Sequence, residues 1–262
     1  MRTPDKDWQP KLQKLGQSQQ AGFHDVRLPD GRNIHAVSIG TPSGLPVLFF
    51  VHGSPGSADA CLNYLGDTTL SGQTQLITID RPGFGYSDFG KPEPALAKQA
   101  AAIKAIADEV APNRPLVLVG HSMGAPVIVR FAMDYPALTA GLVLVAGSVD
   151  PAQEAHPWWQ KAVDNPPLSW LTPKSLWVSN YEIRRLEQEL DAMMPLWANI
   201  RCNVAILHAV DDQLVPYANV AFARQQLVHA ATLKVKTFDS GNHFILWNRY
   251  PDVKNAIQEM IK

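Results

Sequence analysis

Cysteine is scarce in this chain: its 262 residues hold only Cys61 and Cys202. Two thiols so far apart in sequence suggest neither a disulfide scaffold nor a thiol-rich zinc site, and they favour a reducing, cytoplasmic setting. An excess of one charge is missing too. Lys and Arg number 23 against 24 Asp and Glu, with no basic or acidic block, so no general affinity for nucleic acid is expected. Long hydrophobic runs are absent: the most apolar stretch, Leu45 to Val51, falls far short of the ~18 residues a membrane helix needs. Met1 to Gln20 is polar and has no signal-like apolar centre, so no membrane span is expected. No HExxH motif and no paired Cys/His spacing occurs, which leaves no metal and no other cofactor in prospect. What is there is globular in composition, 46% hydrophobic and 18% charged, and the expected partner is a small-molecule substrate. Nothing in the sequence reads on oligomeric state.

Short β-branched or leucine-rich runs alternate with longer helical patterns, the signature of a mostly parallel sheet covered on both faces by helices. Strands are predicted at Phe23 to Leu28 and Ile34 to Ile39, joined through Pro29-Asp30-Gly31 as an antiparallel hairpin. Six more follow at Val47 to Val51, Leu76 to Ile79, Leu116 to Val119, Leu142 to Val145, Val204 to Leu207 and Leu233 to Phe238. Helices are expected at about 95 to 111, 123 to 134, 217 to 229 and 245 to 261. Leu116-Val117-Leu118-Val119 shows no polar alternation, as a strand buried on both faces requires.

Composition shifts between Asp150 and Arg201, where five of the seven tryptophans and six prolines fall. This stretch reads as a lid, 150–201, inserted after the sixth strand into a core made of 1–149 and 202–262. Ile183, Leu186, Leu190 and Met193 recur at three- and four-residue steps and give one amphipathic helix within it. Aromatic side chains in a lid are candidates to line a pocket, here Trp158, Trp159, Trp177 and Trp197.

Gly120-His121-Ser122-Met123-Gly124 follows a strand directly and opens a helical pattern. Such a turn is sharp enough to strain its apex residue and to leave no room for side chains two positions either side, hence Gly120 and Gly124. Ser122 at that apex is the candidate nucleophile. Upstream, Val51-His52-Gly53-Ser54-Pro55-Gly56 ends the central strand in a loop whose backbone amides can approach a ligand. Acyl transfer needs two such donors for its oxyanion, assigned to the N–H groups of Ser54 and Met123. His52 reads as a loop-packing histidine.

A serine needs a base, and the base needs a carboxylate to orient it. Asp211-Asp212-Gln213-Leu214-Val215-Pro216 follows one late strand and Ser240-Gly241-Asn242-His243 follows the last. The order Ser122, Asp212, His243 suits a triad, and all three loops leave the carboxyl edge of the sheet. Asp211 is the neighbour of the preferred acid, and Asp150 a weaker substitute.

On these motifs the chain resembles the α/β-hydrolase fold superfamily, in its compact, lidded, esterase-like branch, from about Phe23 to Ile261. Asp80-Arg81-Pro82-Gly83-Phe84-Gly85-Tyr86-Ser87 resembles the D-x-x-G-x-G-x-S loop of that branch. Dinucleotide binding is not indicated, since the third glycine of that fingerprint falls at Asp88. Ala209, Ala125 and Asn242 stand where the pattern usually has glycine. Lidded relatives that open epoxides or remove halides carry Asp at the nucleophile; here it is Ser122. The resemblance implies a serine hydrolase of small to medium carboxylic esters working through an acyl-enzyme. The same triad would serve an amidase or aminopeptidase, a C–C bond hydrolase, a thioesterase, or an acyltransferase or perhydrolase. The fold also supplies non-catalytic small-molecule binders.

Overall fold

Eight strands form one sheet in the computed structural model, which describes residues 2–155 and 157–262 except the side chain of Trp159. They are β1 (Gly22–Arg27), β2 (Asn33–Ile39), β3 (Val47–Val51), β4 (Leu76–Ile79), β5 (Leu116–His121), β6 (Thr139–Val145), β7 (Asn203–Ala209) and β8 (Thr232–Phe238). Their spatial order is β1-β2-β4-β3-β5-β6-β7-β8. Strand β2 runs antiparallel to both neighbours, and every other pairing is parallel. The hairpin turns where expected: Gly31 takes φ +83°, and the Asp30 carboxylate accepts from the Arg32 amide.

Six longer helices flank the sheet: α1 (Asp5–Lys14), α2 (Leu96–Val110), α3 (Gly124–Asp134), α4 (Lys174–Met193), α5 (Ala218–Gln226) and α6 (Tyr250–Met260). Because side chains alternate along a strand, each central strand feeds two cores. Leu116 and Leu118 of β5 pack with Ile103 of α2 and Phe131 of α3, while Val117 and Val119 pack with Trp8 of α1 and Ile257 of α6. All five residues of β3 are buried, and a fully buried side chain of this kind contributes roughly 1.5 to 3 kcal/mol of transfer free energy. Two apolar layers thus hold the central strands, and with them the loops at their carboxyl ends.

Two elements differ from expectation. The helix predicted over 245 to 261 is two, Ile245–Asn248 and α6, with Arg249 between them at φ −115°. Pro251 has no N–H to donate to the carbonyl four residues back, so the helix does not run through unbroken and restarts with proline in its first turn. Helix α1 was not expected from a polar stretch that includes Pro10. Its signal is there nonetheless: Asp5 and Asp7 in the first turn, Lys11 and Lys14 in the last, and buried Trp8 and Leu12 one turn apart.

Between β6 and β7 the chain leaves the sheet and forms short helices at Trp158–Val163 and Leu168–Leu171, then α4. Each starts directly after a proline, whose missing N–H costs nothing at a helix start. Leu186, Leu190 and Met193 of α4 are buried against the core. No helix among the described residues is long and apolar enough to cross a membrane.

Candidate active site

Four loops meet at the carboxyl edge of the parallel strands, after β3, β5, β7 and β8. The turn after β5 is the sharpest. Ser122 has φ +53°, a left-handed value uncommon outside glycine, and its amide donates to the Val145 carbonyl (2.9 Å) while its carbonyl accepts from the Ala125 amide (2.9 Å). A Cβ on Gly120 would lie 2.6 Å from the Gly124 carbonyl oxygen, and one on Gly124 would lie 2.2 Å from that of Val51. Neither glycine can be replaced without moving backbone. Helix α3 begins at Gly124, so its amino end faces the same place.

His243 and Asp212 are joined. His243 Nδ1 lies 2.8 Å from Asp212 Oδ2, with both side chains buried. The other oxygen, Asp212 Oδ1, accepts from the Leu214 and Val215 amides, each at 2.9 Å. Burial by itself would raise the Asp212 pKa, but the bond to His243 and the two amides outweigh it and hold the carboxyl below its ordinary range. Asp211 is exposed and does something else: it accepts from the Asn242 amide (2.8 Å) and the Gly241 amide (3.3 Å), bracing the loop that carries His243. Asp150 caps a short turn through the Ala152 amide and makes no bond to His243 among the described residues.

Ser122 and His243 line one cavity of about 500 Å³. No hydrogen bond links them among the described residues. Nucleophile and base are often looser before substrate arrives, and here His243 has Nε2 free to take a proton. Ser54 and Met123 line the same cavity. Neither amide donates a hydrogen bond among the described residues, so two main-chain donors lie unspent beside Ser122. The loop carrying Ser54 passes so close that a Cβ on Gly53 would lie 3.0 Å from Ser122 Cβ.

His121 and His208 lie against this group, and a third histidine, His52, lies under the Ser54 loop. His121 Nε2 donates to the His243 carbonyl (2.9 Å), and its ring lies 4.9 Å from that of His243. Burial, reinforced by the nearby His243, pulls His121 down to about 4. Burial also lowers His208, whose Nε2 donates to the Val215 carbonyl. His52 is fully buried and held well below the ordinary imidazole range by burial and by the Arg81 charge. Its Nε2 accepts from the Arg81 amide (3.0 Å), so its Nδ1–H donates to the Gly53 carbonyl (2.7 Å). It braces the loop, as its sequence context suggested.

Three of the four candidate tryptophans, Trp158, Trp177 and Trp197, are not among the residues that line the cavity. Trp158 is 82% exposed, and Trp197 is packed in the core edge-on to Phe222. Trp177 lies against Tyr181 and is not among the residues lining the cavity. The side chain of Trp159 lies outside the described residues. A run dense in tryptophan marks a segment with much apolar surface, and most of that surface serves to dock it or faces outward. The aromatic walls are instead Phe244 and Trp247, one and four residues after His243, a helical spacing legible in the sequence. The segment after β6 does contribute to the cavity, through Glu154, Ser179, Ile183 and Leu186.

Another unforeseen group lies beneath the Ser54 loop: Arg81, after β4, meets Glu182 of α4 at 3.1 Å, with 1% and 0% of their side chains exposed. Burial pushes the Glu182 carboxyl up against the pull of the Arg81 charge and its hydrogen bonds. The two residues are 101 positions apart in sequence, and no local pattern links them.

Comparison with known proteins agrees with this architecture. Residues 46–175 match the family described as alpha/beta hydrolase fold. The chain is 29% identical to a non-heme chloroperoxidase of Streptomyces lividans, over 88% of its own length and 96% of that protein's. A shorter region, 38% of this chain and 37% of the relative, is 35% identical to the pyrrolizixenacetamide deacetylase of Xenorhabdus hominickii. Among solved structures, an esterase from Exiguobacterium antarcticum superposes with a TM-score of 0.72 at 15% identity, covering 92% of this chain and 100% of that one.

Proposed function

The chain belongs to the α/β-hydrolase fold superfamily, and from that premise we propose that it is a serine hydrolase of small to medium carboxylic esters. The observation that carries this reading is the serine at positive φ facing one cavity with a histidine that is itself bonded to a buried carboxylate. In the proposed first step His243 Nε2 takes the Ser122 proton as Oγ attacks the ester carbonyl. The oxyanion is held by the amides of Ser54 and Met123. His243 then returns the proton to the leaving alkoxide, and the acyl group stays on Ser122 until water repeats the sequence. We read 150–201 as a lid over this site, and the cytoplasm as its setting. The test is a fluorophosphonate, which should label the protein stoichiometrically at Ser122, combined with turnover of p-nitrophenyl esters of graded acyl length. Stoichiometric labelling elsewhere would overturn the assignment.

The similarity to a deacetylase named for an acetamide favours amides as a second reading. Aminoacyl anilides beside the esters decide between them.

The cavity wall constrains the acyl group. Among the described residues that line it there is no Lys or Arg, but there is Glu154, which accepts from Ser148 Oγ. An acyl chain ending in a carboxylate would lose its hydration there without meeting a Lys or Arg among the described lining residues. We expect p-nitrophenyl hemisuccinate to react at least about tenfold more slowly in kcat/KM than the butyrate ester. Equal rates would mean that the acyl chain does not lie against this wall.

The acid limb of the pH profile should be simple. His52, His121 and His208 are all lowered, so they stay neutral while a free imidazole would titrate near ~6.5. Asp212, also lowered, stays ionised there. Only the base has to lose a proton for activity, so kcat/KM should rise with pH by about tenfold per unit and then level. A profile flat from about pH 5 to 8 excludes a neutral histidine as the gate, and a slope of two implicates a second one.

A further inference from the structure

The buried ion pair sits under the one loop whose geometry an oxyanion would test. Arg81 Nε donates to the His52 carbonyl (2.9 Å) and Arg81 Nη2 to the Gly53 carbonyl (3.1 Å). The Gly53 carbonyl also accepts from His52 Nδ1. In the trans Gly53–Ser54 peptide that oxygen and the Ser54 N–H point in opposite directions from one rigid plane. Two donors clamping the oxygen in the interior therefore fix the direction of the N–H on the cavity side. A carbonyl bound by a guanidinium is also polarised, which strengthens the N–H of the same peptide as a donor.

Glu182 completes the arrangement from the other side. Its carboxylate accepts from Arg81 Nη1 and Nη2, from Gln99 Nε2 (3.2 Å) and from Ser54 Oγ (3.2 Å). Gln99 Oε1 in turn accepts from Arg81 Nη1 (2.8 Å). The fork is thus held in one orientation, and the carboxylate that holds it comes from α4, in the segment between β6 and β7. Ser179 of the same helix bonds Ser54 Oγ as well (3.0 Å).

We propose that Arg81 and Glu182 are positioning residues for the reaction: through the Gly53 carbonyl they aim the Ser54 amide at the oxyanion, so that α4 helps to set the catalytic loop as well as to roof the cavity. The proposal rests on the reading of Ser54 N–H as an oxyanion donor. A purely structural ion pair would predict something different. Replacing a buried pair by apolar side chains of similar size is often neutral for stability, so a structural role would be restored by such a replacement and a positioning role would not.

The experiment uses two variants of the full chain. In Arg81→Met/Glu182→Leu both charges are removed and the core stays filled. In Arg81→Lys the charge opposite Glu182 is kept but the fork that reaches two carbonyls is lost. Wild type is first titrated with the fluorophosphonate to establish labelling at Ser122. For both variants we expect kcat for p-nitrophenyl butyrate to fall by about 10- to 100-fold, with KM within about twofold. Affinity for an alkyl boronate, which forms a tetrahedral adduct on the serine, should weaken in proportion to kcat. Should the double variant fail to fold, Arg81→Lys answers alone. A folded variant with kcat and boronate affinity near wild type, in an enzyme that does label at Ser122, overturns this proposal and leaves the serine hydrolase intact. A wild type that hydrolyses esters but does not label at Ser122 removes the premise instead, and this proposal falls with it.

Discussion

Ser122→Ala is expected to lose ester hydrolysis by about 10⁶ in kcat, the magnitude that loss of a triad nucleophile carries, while remaining folded. The hydroxyl makes no hydrogen bond among the described residues, so its removal leaves no buried partner unsatisfied. The strain at φ +53° belongs to the backbone, and alanine bears it as serine does. Melting temperature should therefore stay within about 2 °C of wild type. The variant should also keep its affinity for a non-reactive substrate analogue, because the cavity walls are untouched. The measurement is kcat for p-nitrophenyl butyrate beside a thermal melt. Activity within about tenfold of wild type would mean that another group performs the chemistry. It would also return the non-catalytic binders of this fold to consideration.

The sequence tells most about the sheet. A strand buried on both faces is a continuous apolar run, so β3 and β5 could be marked directly, and the hairpin turn carries its own chemistry in Asp30 and Gly31. The turn after β5 is legible for a similar reason: the backbone there tolerates only glycine at 120 and 124, and a steric demand of that kind is written in residue types. Local spacing also explains why Asp212 and His243 stand out, each just past a strand of the same edge.

What could not be read is set by contacts between distant segments. The burial of Trp197 and the exposure of Trp158 depend on how one helical segment docks on another, which periodicity does not specify. Arg81 and Glu182 look like ordinary charged residues in sequence, and only the fold places both in the interior. The same holds for Gln99, which completes their network from α2. Polar residues far apart in the chain had to meet for the Ser54 loop to be braced, and nothing local announces that meeting. Arg81 belongs to a segment already noted for its two glycines, Gly83 and Gly85. The resemblance of that segment to a family loop leaves its guanidinium unexplained.

Asp212→Asn is the second large effect, and the two oxygens of the carboxylate explain its size. Oδ1 accepts from the Leu214 and Val215 amides, and Oδ2 from His243 Nδ1. An asparagine has one acceptor oxygen to divide between these positions. The two main-chain donors claim it, because they are fixed and cannot turn away, and the Nδ2 amide then faces His243. A donor opposite Nδ1 forces the imidazole proton onto Nε2, the nitrogen that must accept from Ser122. The base is then present in the wrong tautomer, and kcat should fall on the order of 10⁴. Asp211→Asn has a different fate. Its carboxylate braces the Gly241 and Asn242 amides from an exposed position, and an asparagine oxygen can keep the shorter of those bonds. Its loss should stay within about tenfold, the smaller penalty of a loop slightly loosened. Kinetics on the two variants at one pH on the plateau compare them directly. Were Asp211→Asn the more damaging, the orienting carboxylate would be misassigned by one residue, and the bond between Asp212 and His243 would have to be read as structural.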